Sequence, residues 1–258
     1  MKRISSLLVI HAESNAPGNA VEEHVNEPVG IVTVQGYAES KWVGEQILAA
    51  ATRKAGLRTV AVRVGQLCGP ENGYWNEHEW FPSLVKSAQH VGCLPTVDGV
   101  SQRFPLQHGY ADVFAQNVTW LPLDAAALAL IQMRHSDQAV LHLVHPRGAP
   151  WNSFVEPIAR RLQVPLVPYH EWLGAMEQSL RDEQTSEVDT MRKNPALRIL
   201  DFFRSVRFGE NREPLGIVYL DNPKAQQVAP ALGLDQLQPE FTDRWLTAWR
   251  QSGFIIAN

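Results

Sequence analysis

The sequence predicts an α/β fold in which a partial, doubly wound parallel sheet is followed by a mainly helical region. Residues 59–64 form a β-branched apolar run typical of a buried parallel strand, and residues 3–10 form a second short apolar run. Between these two runs the pattern becomes helical from Gly36 onward. Strand, helix and strand therefore alternate, as they do in an α/β domain.

The helix that begins at Gly36 has apolar residues at helical spacing, and Gly56 stands where a helix C-cap belongs. The apolar positions are Trp42, Val43, Ile47, Leu48 and Ala51. A polar, loop-like stretch containing Pro17, Gly18 and Pro28 separates this helix from the first strand.

The second half of the chain is dominated by helical patterns. Helices are predicted at 83–92 and 123–133, and a strand at 139–144. Beyond Pro146, helical segments follow at about 152–162, 170–182, 195–206, 222–232 and 239–251. We therefore predict a sheet-containing domain at 1–145 and a mainly helical region at 146–258. Trp245 and Trp249 share a helical face there and are predicted to be core residues.

Composition narrows the class of protein. Hydrophobic residues make up 45% and charged residues 19%, as in ordinary globular proteins, and the net charge is −4. We expect neither a nucleic-acid partner nor a membrane partner, since no broad basic surface and no apolar span of about 20 residues is present. Cys68 and Cys93 match no CxxC pattern, and reduced thiols predict a cytoplasmic protein.

Tyr37 and Lys41 are the strongest candidates for chemistry. Their four-residue spacing puts both on one helix face, one turn apart. A nearby ammonium stabilises a phenolate and lowers the pKa of the phenol, so Tyr37 could protonate a carbonyl oxygen as hydride arrives. Taken alone, the pair is a weak signal, and an exposed helix pair is the simpler interpretation.

The residues around this pair resemble one family closely. Residues 36–45 read GYAESKWVGE and are similar to the GYxxSKWxxE signature of thioester reductase domains. These domains terminate nonribosomal peptide synthetases, fungal aminoadipate reductases and carboxylic acid reductases. Further matches follow in order along the chain: RVGQLCG at 63–69 to RxGQxxG, residues 73–84 to GxWNxxEWxPxL, WLPLD at 120–124 to WxPxD, and HLVHP at 142–146 to HxxHP.

The resemblance implies a Rossmann-like, extended short-chain reductase that uses NADPH to release a carrier-bound acyl thioester as an aldehyde or alcohol. Its partner would be a phosphopantetheinylated acyl carrier protein domain. Ser6, with Ser5 as the alternative, would orient the carbonyl, Tyr37 would supply the proton, and Lys41 would act on Tyr37 and on the nicotinamide ribose. The resemblance also places Val64, Gly65 and Gln66 beside the nicotinamide.

An aromatic cluster and a histidine pair remain open to more than one interpretation. Trp75, Trp80 and Phe81 either line the acyl or pantetheine channel or form plain core. His142 and His145 are three residues apart with no acidic or cysteine partner nearby, so we expect packing there and no metal site.

The chain departs from the family in two places. The family binds its cofactor through a GxxGxxG turn, and no such motif occurs in the 258 residues. We therefore expect a fragment of a reductase domain whose own NADPH binding is weak. The alternatives are a non-catalytic truncated remnant that at most docks a carrier protein, and another extended short-chain enzyme such as a nucleotide-sugar epimerase. About twenty extra residues also stand at 97–118.

Overall fold

A computed structural model describes residues 3–7, 23, 36–97, 116–180, 186–206, 208, 212–216 and 218–256. Its main sheet contains three parallel strands in the order β1–β2–β7. Their bounds are Arg3–Leu7 for β1, Thr59–Val64 for β2 and Val140–Leu143 for β7. The mixed α/β class and the parallel pairing predicted from the sequence are confirmed. The predicted loop with Pro17, Gly18 and Pro28 lies outside the described residues.

Helices surround this sheet and make up most of the second half of the chain. The α-helices are α1 (Gly36–Ala55), α2 (Trp80–Val91), α3 (Leu123–Met133), α4 (Asn152–Leu162), α5 (Tyr169–Ser179), α6 (Glu187–Lys193), α7 (Leu200–Ser205), α8 (Pro223–Val228) and α9 (Phe241–Gln251). Short 3-10 helices occupy Pro195–Ile199, Pro214–Gly216 and Pro230–Leu232. No helix within the described ranges is long and apolar enough to cross a membrane.

Short strand pairs tie the loops to each other. Leu67–Cys68 (β3) pairs in parallel with Leu121–Pro122 (β6), and Leu94–Thr96 (β4) pairs in parallel with Leu166–Pro168 (β9). Asn117–Val118 (β5) pairs antiparallel with Ala149–Pro150 (β8). These pairs join the segment after β2 to the helical region.

Helix α1 runs antiparallel to β2. Thr59, at the start of β2, donates through Oγ1 to the carbonyl of Leu48, 3.2 Å away, and its hydroxyl lies 2.6 Å from that of Thr52. Arg63, near the end of β2, binds Glu45, which lies earlier in α1. The first turns of α1 therefore point toward the carboxyl end of β2.

Two hydrophobic clusters form the interior, and both draw on residues before and after position 146. The smaller cluster covers the sheet and includes Val60 and Leu141 together with Ala225 and Leu232 from the C-terminal segment. The larger cluster contains most of the tryptophans, including Trp245 and Trp249, whose predicted core position is confirmed. The domain boundary near 146 stays a prediction.

Several elements differ from the sequence-based expectation. Helix α2 begins at Trp80, three residues earlier than predicted, because Trp80 and Phe81 pack inward as part of its first turn. The predicted helices at 195–206 and 222–232 each divide into a 3-10 and an α segment. Helix α6 was not predicted, since its residues are mostly polar; Ser186 caps it by accepting from the amide of Asp189, 3.2 Å away.

Candidate functional site

The candidate site lies at the carboxyl edge of the main sheet. In a parallel sheet the strands end at the same edge, and ligands bind there. Ser6 lies opposite Val62 in the register of β1 and β2, one residue before β1 ends. Strand β2 ends at Val64, and Gly65 and Gln66 follow it directly. The predicted serine and the predicted nicotinamide-flanking segment thus belong to neighbouring strands.

Helix α1 carries Tyr37 and Lys41 toward this edge. Glu45 binds Arg63, and at 1.5 Å per helical residue Lys41 lies about 6 Å and Tyr37 about 12 Å farther along the helix axis. Gly65 lies about 7 Å beyond Arg63 along β2, which brings it level with Lys41. Ser6, level with Val62, lies on the opposite side of Arg63, so backbone register alone does not place it beside Tyr37. The side chains of Ser6 and Tyr37 are outside the described set.

Gly65 allows the ends of β2 and β7 to approach closely. Its amide donates to the carbonyl of Leu143, 3.1 Å away, and a Cβ on Gly65 would stand 2.5 Å from Cγ1 of Val144. Such a contact is too short for any larger residue unless Val144 moves. The packing of β2 against β7 therefore explains the first glycine of the RxGQxxG segment, Gly65.

Gln66 is held in a polar network that joins two of the sequence motifs. Its amide nitrogen donates to Oε2 of Glu79 at 2.9 Å, and its amide oxygen accepts from Nε1 of Trp80 at 2.6 Å. The same Glu79 oxygen accepts from Nε1 of Trp75 at 3.0 Å. One carboxylate oxygen thus serves two donors, and the orientation of the Gln66 amide is determined on both sides.

The aromatic cluster lies in the protein interior. Trp75 is 2% exposed and Phe81 is fully buried, and their rings stack with centroids 5.1 Å apart. Trp80 is half-buried and reaches Gln66. The burial of Trp75 and Phe81 supports a core role, and contact of the three rings with substrate stays a prediction.

A buried ion pair connects α1 to β2. Arg63 donates from Nη2 to Oε1 of Glu45 at 2.6 Å and from Nε to Oε2 at 3.3 Å. Each of the two side chains is 2% exposed. Arg63 also contacts Nε2 of His142 through Nη1 at 3.2 Å. Among the α1 side chains whose burial is described, residues 40–55, Glu45 is the buried one. Of the predicted apolar face, Val43 and Ile47 are 47% and 62% exposed, whereas Trp42, Leu48 and Ala51 are half-buried.

The two histidines have structural partners. Since a guanidinium only donates, Nε2 of His142 accepts from Arg63, and its Nδ1–H donates to the carbonyl of Asp221 at 2.7 Å. Nδ1 of His145 accepts from the amide of Arg147 at 3.1 Å, and burial lowers the pKa of His145. The described ranges contain no group of three or more His, Cys, Asp or Glu residues that could hold a metal ion.

A second buried carboxylate lies near the end of the sheet. Glu213 is 3% exposed, and its Oε1 accepts from the hydroxyl of Thr119. Burial is the main cause that raises the pKa of Glu213 to about 7. The carbonyl of Thr119 accepts from the amide of His145 at 3.1 Å, two residues after β7 ends at Leu143, so Glu213 is linked through Thr119 to the end of β7.

Sequence reasoning missed the roles of Glu45, Arg63, Glu79 and Glu213. The first three are specified positions of the quoted motifs. The signal was therefore present in the sequence, as charged residues within apolar or aromatic segments to which no role was given. A charged residue in a buried strand such as β2 requires a partner, which is the general clue. Glu213 matches no motif, and only the fold brings it to Thr119.

Comparison with known proteins places these features in context. The family described as male sterility protein, an NAD-binding family, matches residues 12–128. The chain is 36% identical over 242 residues to adenylate-forming reductase Nps10 of Heterobasidion annosum, covering 89% of this chain and 21% of the relative. It is 29% identical to a carboxylic acid reductase of Neurospora crassa, covering 83% and 20%. The chain spans about a fifth of the length of these relatives.

Solved structures share the fold. The terminal reductase domain of the myxalamid PKS-NRPS pathway superposes with a TM-score of 0.69 at 20% identity, covering 99% of this chain and 59% of that one. A reductase domain of a nonribosomal peptide synthetase from Mycobacterium tuberculosis superposes with a TM-score of 0.64 at 18% identity, covering 98% and 61%.

Proposed function

Because this chain is a homologue of adenylate-forming and carboxylic acid reductases and carries a match to the NAD-binding male sterility protein family, we propose that it takes part in the NADPH-dependent reductive release of an acyl thioester. The product would be an aldehyde, or an alcohol after a second reduction. The observation that supports the proposal best is the contact of Glu45 with Arg63, since the helical and strand rises counted from it put Lys41 about level with Gly65 along the sheet.

The proposed roles follow from the chemistry of each side chain. The Ser6 hydroxyl donates to the thioester carbonyl and holds it in place. Tyr37 gives its phenolic proton to the carbonyl oxygen, and Lys41 stabilises the phenolate that remains. With a hydride added to the carbon, the product of this step is a hemithioacetal. Its hydroxyl proton returns to the Tyr37 phenolate as the C–S bond breaks, and the sulfur leaves as pantetheine thiolate, which takes a proton from solvent; this releases the aldehyde. Gln66, held by Glu79 and Trp80, would face the reacting end.

The residues at this edge suit the nicotinamide half of the cofactor. Lys41 offers an ammonium to ribose hydroxyls, and Val64, Gly65 and Gln66 form the strand end beside it. When bound, NADPH would supply the hydride. The pyrophosphate half requires a glycine-rich turn before a helix, and no GxxGxxG occurs in the 258 residues. We therefore propose that the described site contributes the nicotinamide side of the binding surface.

The substrate would arrive on a phosphopantetheinylated carrier protein domain, and a cytoplasmic location is proposed with it. The support for a carrier partner is a solved structure with a related fold, a thiolation-reductase di-domain of an archaeal nonribosomal peptide synthetase, which has a TM-score of 0.62 at 15% identity. The second candidate function is docking of a carrier protein without catalysis by these 258 residues, since they contain no GxxGxxG turn to hold a pyrophosphate.

The test measures thioester-dependent NADPH oxidation by the chain and by a fusion protein. The fusion protein places ahead of Met1 the sequence that precedes the matching segment in the Heterobasidion annosum relative. Tyr37→Phe should lower kcat by about 10²–10⁴-fold with little change in NADPH affinity, because it removes a proton donor and little contact area. Lys41→Ala should reduce both kcat and affinity, and Ser6→Ala should cost less than Tyr37→Phe.

A folded and active fusion protein in which Tyr37→Phe costs less than about tenfold would show that Tyr37 is not the general acid. Ser5→Ala tests the alternative serine, and it should have a smaller effect than Ser6→Ala. Carrier binding without any NADPH oxidation by either protein would favour docking without catalysis.

A further inference from the structure

We infer that Glu45 and Arg63 form a positioning pair that fixes α1 along the sheet and thereby places Lys41 and Tyr37 at the candidate site. The inference rests on the proposed function and extends it to residues that do not touch the reacting atoms. The sequence assigned neither residue a role, although Glu45 is the last residue of the GYxxSKWxxE motif and Arg63 is the first residue of RxGQxxG.

The geometry of the pair constrains α1 in more than one direction. Arg63 donates through two nitrogens to the two carboxylate oxygens of Glu45, at 2.6 and 3.3 Å. A two-point contact of this kind restricts rotation of the helix as well as its position along its axis. Both side chains are 2% exposed, so water does not compete for the bonds.

The sheet side of the pair is itself anchored. The third contact of Arg63, to Nε2 of His142 at 3.2 Å, crosses from β2 to β7. The ring of His142 is held through Nδ1 by the carbonyl of Asp221 at 2.7 Å, just before α8. The backbone amide of His142 donates to Oε1 of Glu23 at 2.8 Å. The position of the Arg63 guanidinium is therefore fixed by contacts that reach from β2 to β7 and to the segment before α8.

The apolar residues of α1 cannot replace this contact. Val43 and Ile47 are 47% and 62% exposed, and hydrophobic packing is non-directional. Lys41 stands one turn and Tyr37 two turns before Glu45 on the same helix. A slip of one residue at Glu45 would move both by about 1.5 Å along the axis and by about 100° around it. The pair thus determines where the ammonium and the phenol stand.

The competing explanation is that the pair merely fills a buried space. Four variants separate the two explanations: Arg63→Met, Glu45→Leu, the double variant, and the conservative Arg63→Lys. Each single replacement with an apolar residue leaves an unpaired buried charge and should lower the unfolding temperature. The double variant leaves no unpaired charge, and replacing a buried ion pair with apolar residues of similar volume is often neutral for stability. It should therefore lose only the stability that goes with the missing donor to Nε2 of His142. Arg161→Met is the matched control, since Arg161 pairs with Asp243 at the surface.

Two measurements are made on the full chain: amide hydrogen exchange in α1, and kcat with KM for a pantetheine thioester at saturating NADPH. If the chain alone turns over too slowly, kcat and KM are read in the fusion protein. In the double variant we expect an unfolding temperature above that of either single apolar variant. We also expect exchange at residues 38–45 faster by at least about tenfold, kcat lower by at least about tenfold, and KM within about threefold. Arg63→Lys should recover part of kcat, and Arg161→Met should change neither measurement.

Recovery of both slow exchange and wild-type kcat in the double variant would overturn the inference, because an apolar pair would then position α1 equally well. Wild-type kcat in a folded single variant would overturn it also. Failure of the proposed function is distinguishable: wild-type protein would then show no thioester-dependent turnover, while the exchange measurement would still decide whether the pair fixes α1.

Discussion

At the scale of single residues, the buried carboxylates of Glu45 and Glu213 and the half-buried carboxylate of Glu79 organise the region around the candidate site. The carboxylate of Glu45 accepts hydrogen bonds from Arg63, that of Glu79 from Trp75 and Gln66, and that of Glu213 from Thr119. Carboxylates buried in this way are expensive unless each finds a donor, so their partners determine whether they stabilise the fold. Two of them lead to separate predictions.

Replacing Glu79 should loosen the loop that carries Gln66. Glu79→Ala removes the acceptor of the Trp75 indole and one of the two acceptors of the Gln66 amide nitrogen, which keeps the carbonyl of Leu67. We therefore expect a loss of about 1–3 kcal/mol in the free energy of unfolding. Glu79→Gln keeps one acceptor oxygen and should cost less. Urea denaturation measures both, and equal costs for the two variants would contradict the assigned hydrogen bonds.

Glu213 should make stability depend on pH. The folded-state pKa is raised from 4.5 to about 7, so the carboxyl stays protonated in the folded chain while it ionises in the unfolded chain. Its contribution is full below pH 4.5 and is lost as pH rises to about 7. The loss reaches at most ~3 kcal/mol, at about 1.4 kcal/mol for each pH unit.

The measurement compares wild type with Glu213→Gln by urea denaturation from pH 4.5 to pH 8. The variant cannot ionise, so its free energy of unfolding should fall less than that of wild type across this range. The difference between the two proteins cancels the titration of all other groups. Parallel curves would show that Glu213 ionises normally in the folded protein.

At the scale of elements, the loop between β2 and α2 packs against α9 through glycines. A Cβ on Gly69 would stand 2.7 Å from Cδ1 of Trp245. A Cβ on Gly73 would stand 2.2 Å from the backbone carbonyl oxygen of Arg244, and Gly73 has a φ of +78°. Trp245 and Trp249 also donate to the carbonyls of Gly69 and Trp75 at 3.3 and 3.1 Å. The loop between β2 and α2 therefore packs with its backbone directly against α9.

Gly73→Ala should be far more harmful than Gly92→Ala. Both glycines have a positive φ, +78° and +76°, but only Gly73 has backbone within the reach of a Cβ. Gly92→Ala should cost about 1 kcal/mol for backbone conformation, whereas Gly73→Ala should cost several kcal/mol, because backbone must move. Thermal denaturation of the two variants compares them directly. Similar costs would show that the loop does not approach α9 as closely as described.

At the scale of the whole molecule, the two halves of the chain share their interiors. The cluster that covers the sheet takes residues from 60–143 and from 225–232, and the larger cluster takes residues from both sides of position 146. Glu23 adds a further link, since its carboxylate accepts from the amides of Lys224 at 2.6 Å and Ala225 at 3.1 Å. Cutting the chain near 146 would expose both clusters.

We therefore expect a single cooperative unfolding transition. Shared cores couple the stability of the sheet region to that of the helical region, so neither should melt alone. Calorimetry of the chain measures this, with the ratio of van't Hoff to calorimetric enthalpy as the criterion. Two resolved transitions would instead support a domain boundary at 146 as a boundary of folding.

We also expect the chain by itself to bind NADPH only weakly. Its 258 residues contain no GxxGxxG turn, and the pyrophosphate provides much of the anchoring for such cofactors. Titration of NADPH fluorescence with the chain and with the fusion protein measures the difference. Micromolar affinity of the chain alone would contradict the argument.

Local pattern by itself determined the fold class and the approximate positions of most of the longer elements. The strand at 59–64 and the helices at 123–133 and 152–162 were predicted with the bounds that the structure shows, because apolar periodicity and flanking turn residues are local signals. The motif letters also identified the segments that build the candidate site. Helix α6 escaped prediction because its residues are mostly polar.

Only the tertiary structure decided which buried charges meet. The partners Glu45 and Arg63 are 18 residues apart, and those of Glu213 and Thr119 are 94 apart, so no local pattern relates them. The apolar face expected for α1 is partly exposed, since the interior at that point is occupied by an ion pair. The energy of a buried charge depends on its partner, and the partner is supplied by the packing of distant elements.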